Sequence, residues 1–483
     1  MSFHSLQHNE KKPRLCKGAD SLYFPLLVAV TLTIFVIVYR QLTSSGFPTD
    51  ISVAEQWVRR NGFAIAMLGF ASFLLAWQVS FALRYKSFKR LPEAQLPTVT
   101  VVIPAYNEGA QILETVRTVM ASEYPHDRVQ IICVDDGSKD DTWKWMCQAH
   151  QEFSDNVIIA RQPFNQGKRE ALMSGFAKAT GEVVVTLDSD SEVLPNTLAE
   201  LVSPFVADAR IGSVAGNVRV LNLAAGMIPK MLEVSFTSAF DFIRAGQSVY
   251  GGVFCTPGAL SAYRTSVLLS LIGEWSKQTF MGKPATIGED RALTNLVLAS
   301  GHRVVYQRHA VVMTKVPTTY TSLRKMLTRW ARSNVRESLV MFNFVFSDFR
   351  AKGEGANWVR FFSVTQIIRL TVFEALKCAL LVALIMNANH ALMAIALGCV
   401  TAAIIPGTIY LLRHRTTFGF RWALPFNLFW LFSLAWILLW GVYTASNSGW
   451  LTRTLPANTN APVAPSLIDS TAGMPGAFAQ VAE

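Results

Sequence analysis

The chain has 483 residues, 51% of them apolar, and its mean hydropathy of +0.29 favours one catalytic domain plus membrane spans over two soluble domains. Its formal net charge is +11, but the basic residues cluster beside the apolar stretches, where anionic lipid explains them, so nucleic acid is not expected as a partner. Six cysteines (Cys16, Cys133, Cys147, Cys255, Cys378, Cys399) show no metal-ligand spacing, which argues against a zinc site, and their expected cytoplasmic or bilayer placement argues against disulfides.

A basic leader (Lys11, Lys12, Arg14, Lys17) precedes about 19 uncharged residues between Asp20 and Arg40, and a second uncharged stretch runs from Asn61 to Leu83. Both are long enough to span a bilayer, and the first is too long for a signal-peptide core, so residues 1–90 read as a cytoplasmic leader and two transmembrane helices, the first a retained anchor. Basic residues in the leader, after the second stretch (Arg84, Lys86, Lys89, Arg90) and at Arg413, Arg415 and Arg421 mark cytoplasmic segments by the positive-inside rule, so the chain from Arg84 to about Arg360 is expected in the cytoplasm. Three further spans are expected over 361–447: about Phe361 to Ala388, Ala391 to Leu412 and Trp422 to Ser446. The first of these carries Arg369, Glu374 and Lys377, which either line a polar path or pair near the interface. Residues 448–483, rich in Ala, Pro, Thr and Ser, read as a flexible extracytoplasmic tail.

Over 91–320 short β-branched runs alternate with helical patterns: Val99 to Ile103, Val129 to Val134, Val157 to Ala160, Val183 to Leu187 and Ser213 to Val220. This pattern predicts an α/β domain with a mostly parallel sheet and a ligand site at the carboxyl ends of the strands. Those ends carry the chemistry. The first leads into Ala105-Tyr106-Asn107-Glu108 and the second into Asp135-Asp136-Gly137-Ser138; read alone, the latter is a good turn. Asn165-Gln166-Gly167-Lys168-Arg169 follows the third, and the fourth delivers Asp188-Ser189-Asp190. Apolar residues before this carboxylate pair place it at a strand end, where hard oxygen ligands suit Mg²⁺ or Mn²⁺. Further on stand Cys255-Thr256-Pro257-Gly258, then Gly288-Glu289-Asp290, and finally Arg329-Trp330 in a segment, 321–360, that reads as an amphipathic interfacial helix. On that helix Leu323, Leu327 and Trp330 are expected to face the apolar side, with Arg324, Lys325, Arg332 and Arg336 opposite.

Together these motifs, in this order from Thr98 to Glu337, resemble membrane-embedded family 2 glycosyltransferases, the processive polysaccharide synthases of the hyaluronan, chitin and cellulose synthase type. The resemblance implies a GT-A-type nucleotide-sugar transferase domain inserted in an α-helical transmembrane region of about five spans, in the cell (inner or plasma) membrane with the catalytic domain cytoplasmic. It implies a UDP-sugar donor held by Ala105, Tyr106, Glu108, Asp135, Asp136, Lys168, Arg169, Asp188 and Arg329, with Asp188 and Asp190 binding Mg²⁺ or Mn²⁺. Cys255, Gly258 and Trp330 align with residues lining the acceptor glycan, and Asp290, beside Glu289, aligns with the general base of an inverting transfer. Membrane lipid is a further expected partner; export subunits are left open. The family's Gln-x-x-Arg-Trp signature has Met326 where Gln belongs. Processivity is therefore less secure than donor chemistry, and a non-processive enzyme adding one sugar to a lipid-linked acceptor is the alternative. A scaffold with a dead transferase domain is disfavoured by the intact Asp136, Asp188, Asp190 and Asp290. No appended cyclic-dinucleotide-binding domain is expected.

Overall fold

The computed structural model describes residues 69–370 and 388–447. They fall in two compact units that divide at Arg84/Tyr85. In the first, residues 69–84 are helical, covering the end of the second expected span; the first expected span lies outside the described residues, as do Glu374, Lys377 and the tail.

The second unit is built on an eight-stranded sheet. Its strands are β1 (Val99–Ala105), β2 (Val129–Asp135), β3 (Val157–Arg161), β4 (Val183–Leu187), β5 (Ser191–Val193), β6 (Ile211–Val220), β7 (Leu260–Arg264) and, after a small hairpin of β8 (Thr279–Phe280) and β9 (Lys283–Pro284), β10 (Arg303–Thr314). The order is β3-β2-β1-β4-β7-β6-β10-β5. The half β3-β2-β1-β4 is parallel. Antiparallel pairing of β7 with both β4 and β6, and of β5 with β10, makes the whole sheet mixed rather than mostly parallel. Every residue of β1 and of β4 is buried, as expected of central strands covered on both faces by helices. The strand β7 has no clear sequence signal because Leu260-Ser261-Ala262-Tyr263 is short and half polar, yet these four residues are buried, and the Ser261 hydroxyl is hydrogen-bonded to that of Thr186 in β4 at 2.7 Å.

Helices α1 (Gln111–Met120), α2 (Thr142–Glu152), α3 (Lys168–Phe176) and α4 (Thr197–Ala207) follow the early strands. Then α5 (Met227–Phe236) continues through a π-helical turn, Thr237–Phe242, into α6 (Ile243–Val249). Beyond them lie α7 (Thr265–Ser276), α8 (Glu289–Ala299) and α9 (Tyr320–Val340), then α10 (Ala356–Ile368), α11 (Ala388–His414), α12 (Phe418–Phe429) and α13 (Trp436–Tyr443).

The long helix α9 departs from the amphipathic expectation. Leu323 and Leu327 are buried as expected, but so are Arg332 and Arg336, while Trp330 is 37% exposed. The cause is packing on both sides: Arg332 donates to the Thr444 hydroxyl at 2.9 Å, and Arg336 pairs with Glu337 at 3.0 Å while donating to the Ile287 carbonyl. Buried guanidinium groups are tolerated where such partners exist.

The expected span from Ala391 to Leu412 lies within α11, 27 residues long with Pro406 inside it. The last expected span is α12 and α13, joined through a π-helical turn at Trp430–Leu434 and bent by 46°. By length and composition no single helix among the described residues qualifies as a membrane crossing, whereas this bent pair does.

Candidate active site

The ends of β1 and β2 form one group of predicted residues. Asp136, 2% exposed, donates its backbone N–H to the Ala105 carbonyl at 2.9 Å, which ties the two strand ends together. Its carboxylate accepts the backbone N–H groups of Gln166 (2.8 Å) and Gly167 (3.0 Å), and so caps the start of α3, where an anion is favoured. Asp135 is fully buried; it accepts the Ser138 N–H at 2.8 Å and pairs with Arg161 at 3.1 Å. Arg161, over the Trp143 ring at 5.3 Å, went unnoticed in the sequence, although it is the residue after the apolar run of β3 and faces Asp135 across the parallel register. Tyr106 is buried beside them, and the Glu108 N–H is held by the Thr142 hydroxyl at 2.9 Å. The Gly137 φ of +69° is the left-handed region, and a side chain there would strike the Phe164 backbone at 2.4 Å, so the position requires glycine.

The second group lies where β4 ends against the start of α8, around a small cleft lined by Lys168, Gly258, Glu289 and Asp290 among others. The Lys168 ammonium contacts the Asp188 carboxylate directly and lies 3.5 Å from Glu289. Burial alone lowers its pKa, but Asp188, Glu289 and Asp290 outweigh that and hold it above the usual lysine value. The lysine is a fixed cation at neutral pH. Gly258 backs onto it, since a Cβ there would fall 2.7 Å from the ammonium.

Asp290 opens α8 together with Glu289, placing two carboxylates in a first turn where the helix dipole favours them. Gly288, at φ +70°, makes the approach possible. One Asp290 oxygen accepts the Arg291 N–H at 2.8 Å, and the other lies 3.5 Å from the Cys255 thiol, which donates to it. Burial, with Asp290 adding to it, pushes that thiol up to about 12, so Cys255 acts as a neutral donor. Thr256, Tyr263 and Thr294 lock this corner: the Thr256 hydroxyl meets both others at 2.8 Å, and Thr294 donates to the Asp290 carbonyl at 2.7 Å.

Arg169 and Trp330 stand apart from this cluster. Arg169 donates to the Trp275 carbonyl at 2.8 Å and to Gln278 at 3.1 Å, its guanidinium over the Trp275 ring. Trp330 meets Phe236 at 6.1 Å and Phe240 at 6.2 Å, forming an aromatic cluster that follows no sequence motif because the three rings come from different elements. Arg329 precedes it, half-buried on α9.

A divalent cation fits the donor set at the end of β4. Asp188 and Asp190 are hard oxygen ligands, and Asp188 already holds a cation, the lysine ammonium, against its carboxylate. One Asp190 oxygen lies 3.4 Å from the hydroxyls of Ser191 and Thr314. Among the described residues no group of three or more His, Cys, Asp or Glu side chains gathers, so two carboxylates are the most this site supplies, as suits an ion that keeps waters and substrate oxygens.

A mixed sheet whose strands β2 and β4 run into paired carboxylates, between covering helices, is a GT-A-like α/β fold. The solved structure of a mannosyltransferase from Pyrobaculum calidifontis, in complex with GDP-Man and Mn²⁺, shares it with a TM-score of 0.54 at 22% identity, over 76% of this chain and 97% of that one. Residues 100–271 match the family model described as glycosyl transferase family 2. An N-acetylglucosaminyltransferase of Rhizobium meliloti is 31% identical over 367 residues, 74% of this chain and 82% of that protein. The hyaluronan synthase of Streptococcus pyogenes is 34% identical over 269 residues, 55% of this chain; the match spans 63% of that relative's length. The chain belongs to glycosyltransferase family 2.

Proposed function

We propose that the protein is an inverting polysaccharide synthase that polymerises sugar from a UDP-sugar donor into a β-linked glycan and moves it across the cell membrane. The observation that carries the reading is the convergence of Lys168, Glu289 and Asp290 on one cleft, with Asp188 paired to the lysine and Cys255 donating to Asp290. Relatives named hyaluronan synthase and N-acetylglucosaminyltransferase support the polymer as product.

In this reading Asp290 takes the proton from the acceptor hydroxyl as that oxygen attacks the anomeric carbon. Its second oxygen is held by the Arg291 N–H, so the carboxylate is oriented before the acceptor arrives. Asp135 and Asp136 shape the nucleotide end, and Lys168 supplies fixed positive charge beside the departing diphosphate. Arg329 adds a further cation there. Cys255, Gly258 and Trp330 line the acceptor. Asp188 and Asp190 would hold Mg²⁺ or Mn²⁺, and the ion would neutralise leaving-group charge. The mannosyltransferase with the same fold was solved with Mn²⁺ and a nucleotide sugar, which supports metal use here. The domain limits at residues 90, 320, 360 and 447, the cytoplasmic face of the catalytic domain and multi-pass insertion belong to the same proposal.

The test is nucleoside diphosphate release by the purified, detergent-solubilised protein over a panel of UDP- and GDP-sugars with Mg²⁺ or Mn²⁺, with products sized by gel. A long, glycosidase-sensitive product that needs the cation is expected. A product of one added sugar, at any donor concentration, would overturn the synthase reading.

A further inference from the structure

The π-helical turn between α5 and α6 is held by an ion cluster that no motif announces. Asp241, 4% exposed, lies in that turn. One of its carboxylate oxygens is 3.1 Å from the Arg308 guanidinium of β10, and the other is 3.1 Å from the Arg413 guanidinium at the end of α11. Arg308 is fixed independently. Its guanidinium lies 4.8 Å over the Tyr85 ring, its N–H donates to the Tyr85 hydroxyl at 3.2 Å, and its carbonyl accepts Asn217 at 3.1 Å. A second tie lies one turn earlier. Glu233, fully buried on α5, accepts Arg219 at 2.6 Å and the Val220 N–H at 3.0 Å. Thr237 reaches His414, beside Arg413, at 3.4 Å.

The residue before Asp241 is Phe240, edge-on to Trp330 and 4.7 Å from Phe236, with the Arg244 guanidinium 4.3 Å over its other side. π-Helical turns concentrate at functional sites because the extra residue re-aims neighbouring side chains. Here the turn points Asp241 at two arginines and Phe240 at the aromatic ring that aligns with an acceptor contact.

We propose that Asp241 is a positioning residue for the acceptor: by bridging Arg308 and Arg413 it fixes the turn that sets Phe240 behind Trp330, and so ties the acceptor platform to helix α11. The proposal rests on the reading of Trp330 as an acceptor contact. Without the carboxylate, two guanidinium groups face each other, like charges with no anion between them, and the turn loses its anchor to both elements.

The test uses the full-length protein in detergent. In Asp241→Asn and in Arg413→Ala, nucleoside diphosphate release without acceptor should stay within about twofold of wild type, while glycan elongation falls roughly tenfold, because an acceptor misplaced by a fraction of an ångström loses rate without losing the donor site. Asp241→Glu should recover part of the elongation. Arg413→Ala leaves Asp241 paired with Arg308, which keeps the claim testable if Asp241→Asn does not fold. Parallel loss of both rates, or no change in either, overturns the proposal. A readout free of catalysis separates it from the proposed function: the tryptophan emission lost on Trp330→Phe, measured in wild-type and Asp241→Asn backgrounds. If wild type turns over no donor, the synthase reading fails, and an unchanged Trp330 emission then overturns the positioning role by itself.

Discussion

Two acidic clusters end strands β2 and β4 of the same sheet, on either side of β1, and they differ in what their carboxylates touch. At the end of β2, Asp135 and Asp136 are almost fully buried and engaged by the chain itself, by backbone N–H groups of Ser138, Gln166 and Gly167 and by Arg161. At the end of β4 and the start of α8, Asp188 and Asp290 are partly exposed; Asp188 faces a lysine and Asp290 a neutral thiol. Asp-Asp-Gly-Ser and Gly-Glu-Asp look alike as motifs. In space the first is tied up by the chain itself, and the second, in the proposed reading, is the one that meets substrate. Removing a carboxylate should therefore cost stability in one place and rate in the other.

The largest expected effect is on rate. Asp290→Asn should reduce sugar transfer by roughly 10³-fold, the range for loss of a general base, with little change in thermal midpoint, because the Arg291 N–H still finds an acceptor. Steady-state release of nucleoside diphosphate and a thermal melt check it together. A stability loss as large as the rate loss would erase the distinction between the clusters.

Lys168→Met should come next. It removes the cation shared by Asp188 and Glu289, leaving carboxylates facing one another in a cleft, and should lower kcat by roughly 10²-fold. A kcat close to wild type would show that the lysine does not set the charge of the cleft.

Asp136→Ala should reverse the pattern. Two backbone N–H groups lose their acceptor at the start of α3, costing about 2 kcal/mol of stability by chemical denaturation, with donor KM raised because Lys168 follows that loop directly. If stability is unchanged and only KM moves, Asp136 serves the donor alone.

The strand ends were legible because the runs at Val99, Val129 and Val183 are apolar on both faces, a pattern only central strands need, and because acidic residues follow them at once. What the sequence hid is long-range. Arg169 follows Lys168 in one motif, yet the helical step turns it to Trp275 and Gln278, partners about a hundred residues on that no local pattern names. Arg332 and Arg336 fit a solvated helix face until Thr444, Ile287 and Glu337 supply buried partners. Trp330 meets Phe236 and Phe240, neighbours one turn apart on their own helix, only through tertiary packing.

The smallest effect is a reference for both clusters, from a carboxylate that serves the fold alone. Asp208 follows α4 and joins Arg210 at 2.9 Å to Arg303, at the start of β10, at 2.8 Å. Its hydrogen bond with Arg210, reinforced by the charges of both arginines, lowers its pKa from 3.8 to about 2. Because the folded value lies below the unfolded one, the stability it contributes is present above about pH 4 and disappears as the pH falls towards 2. Arg210 is largely solvent-exposed, so screening leaves about 1 kcal/mol of the shift as stability. Asp208→Asn should lose that much at pH 7 and nothing at pH 2, with donor turnover at neutral pH unchanged. Denaturant midpoints at the two pH values measure it. A turnover loss in this variant would mean that carboxylates of the fold and of the site are coupled, and that the contrast between the β2 and β4 clusters is one of degree.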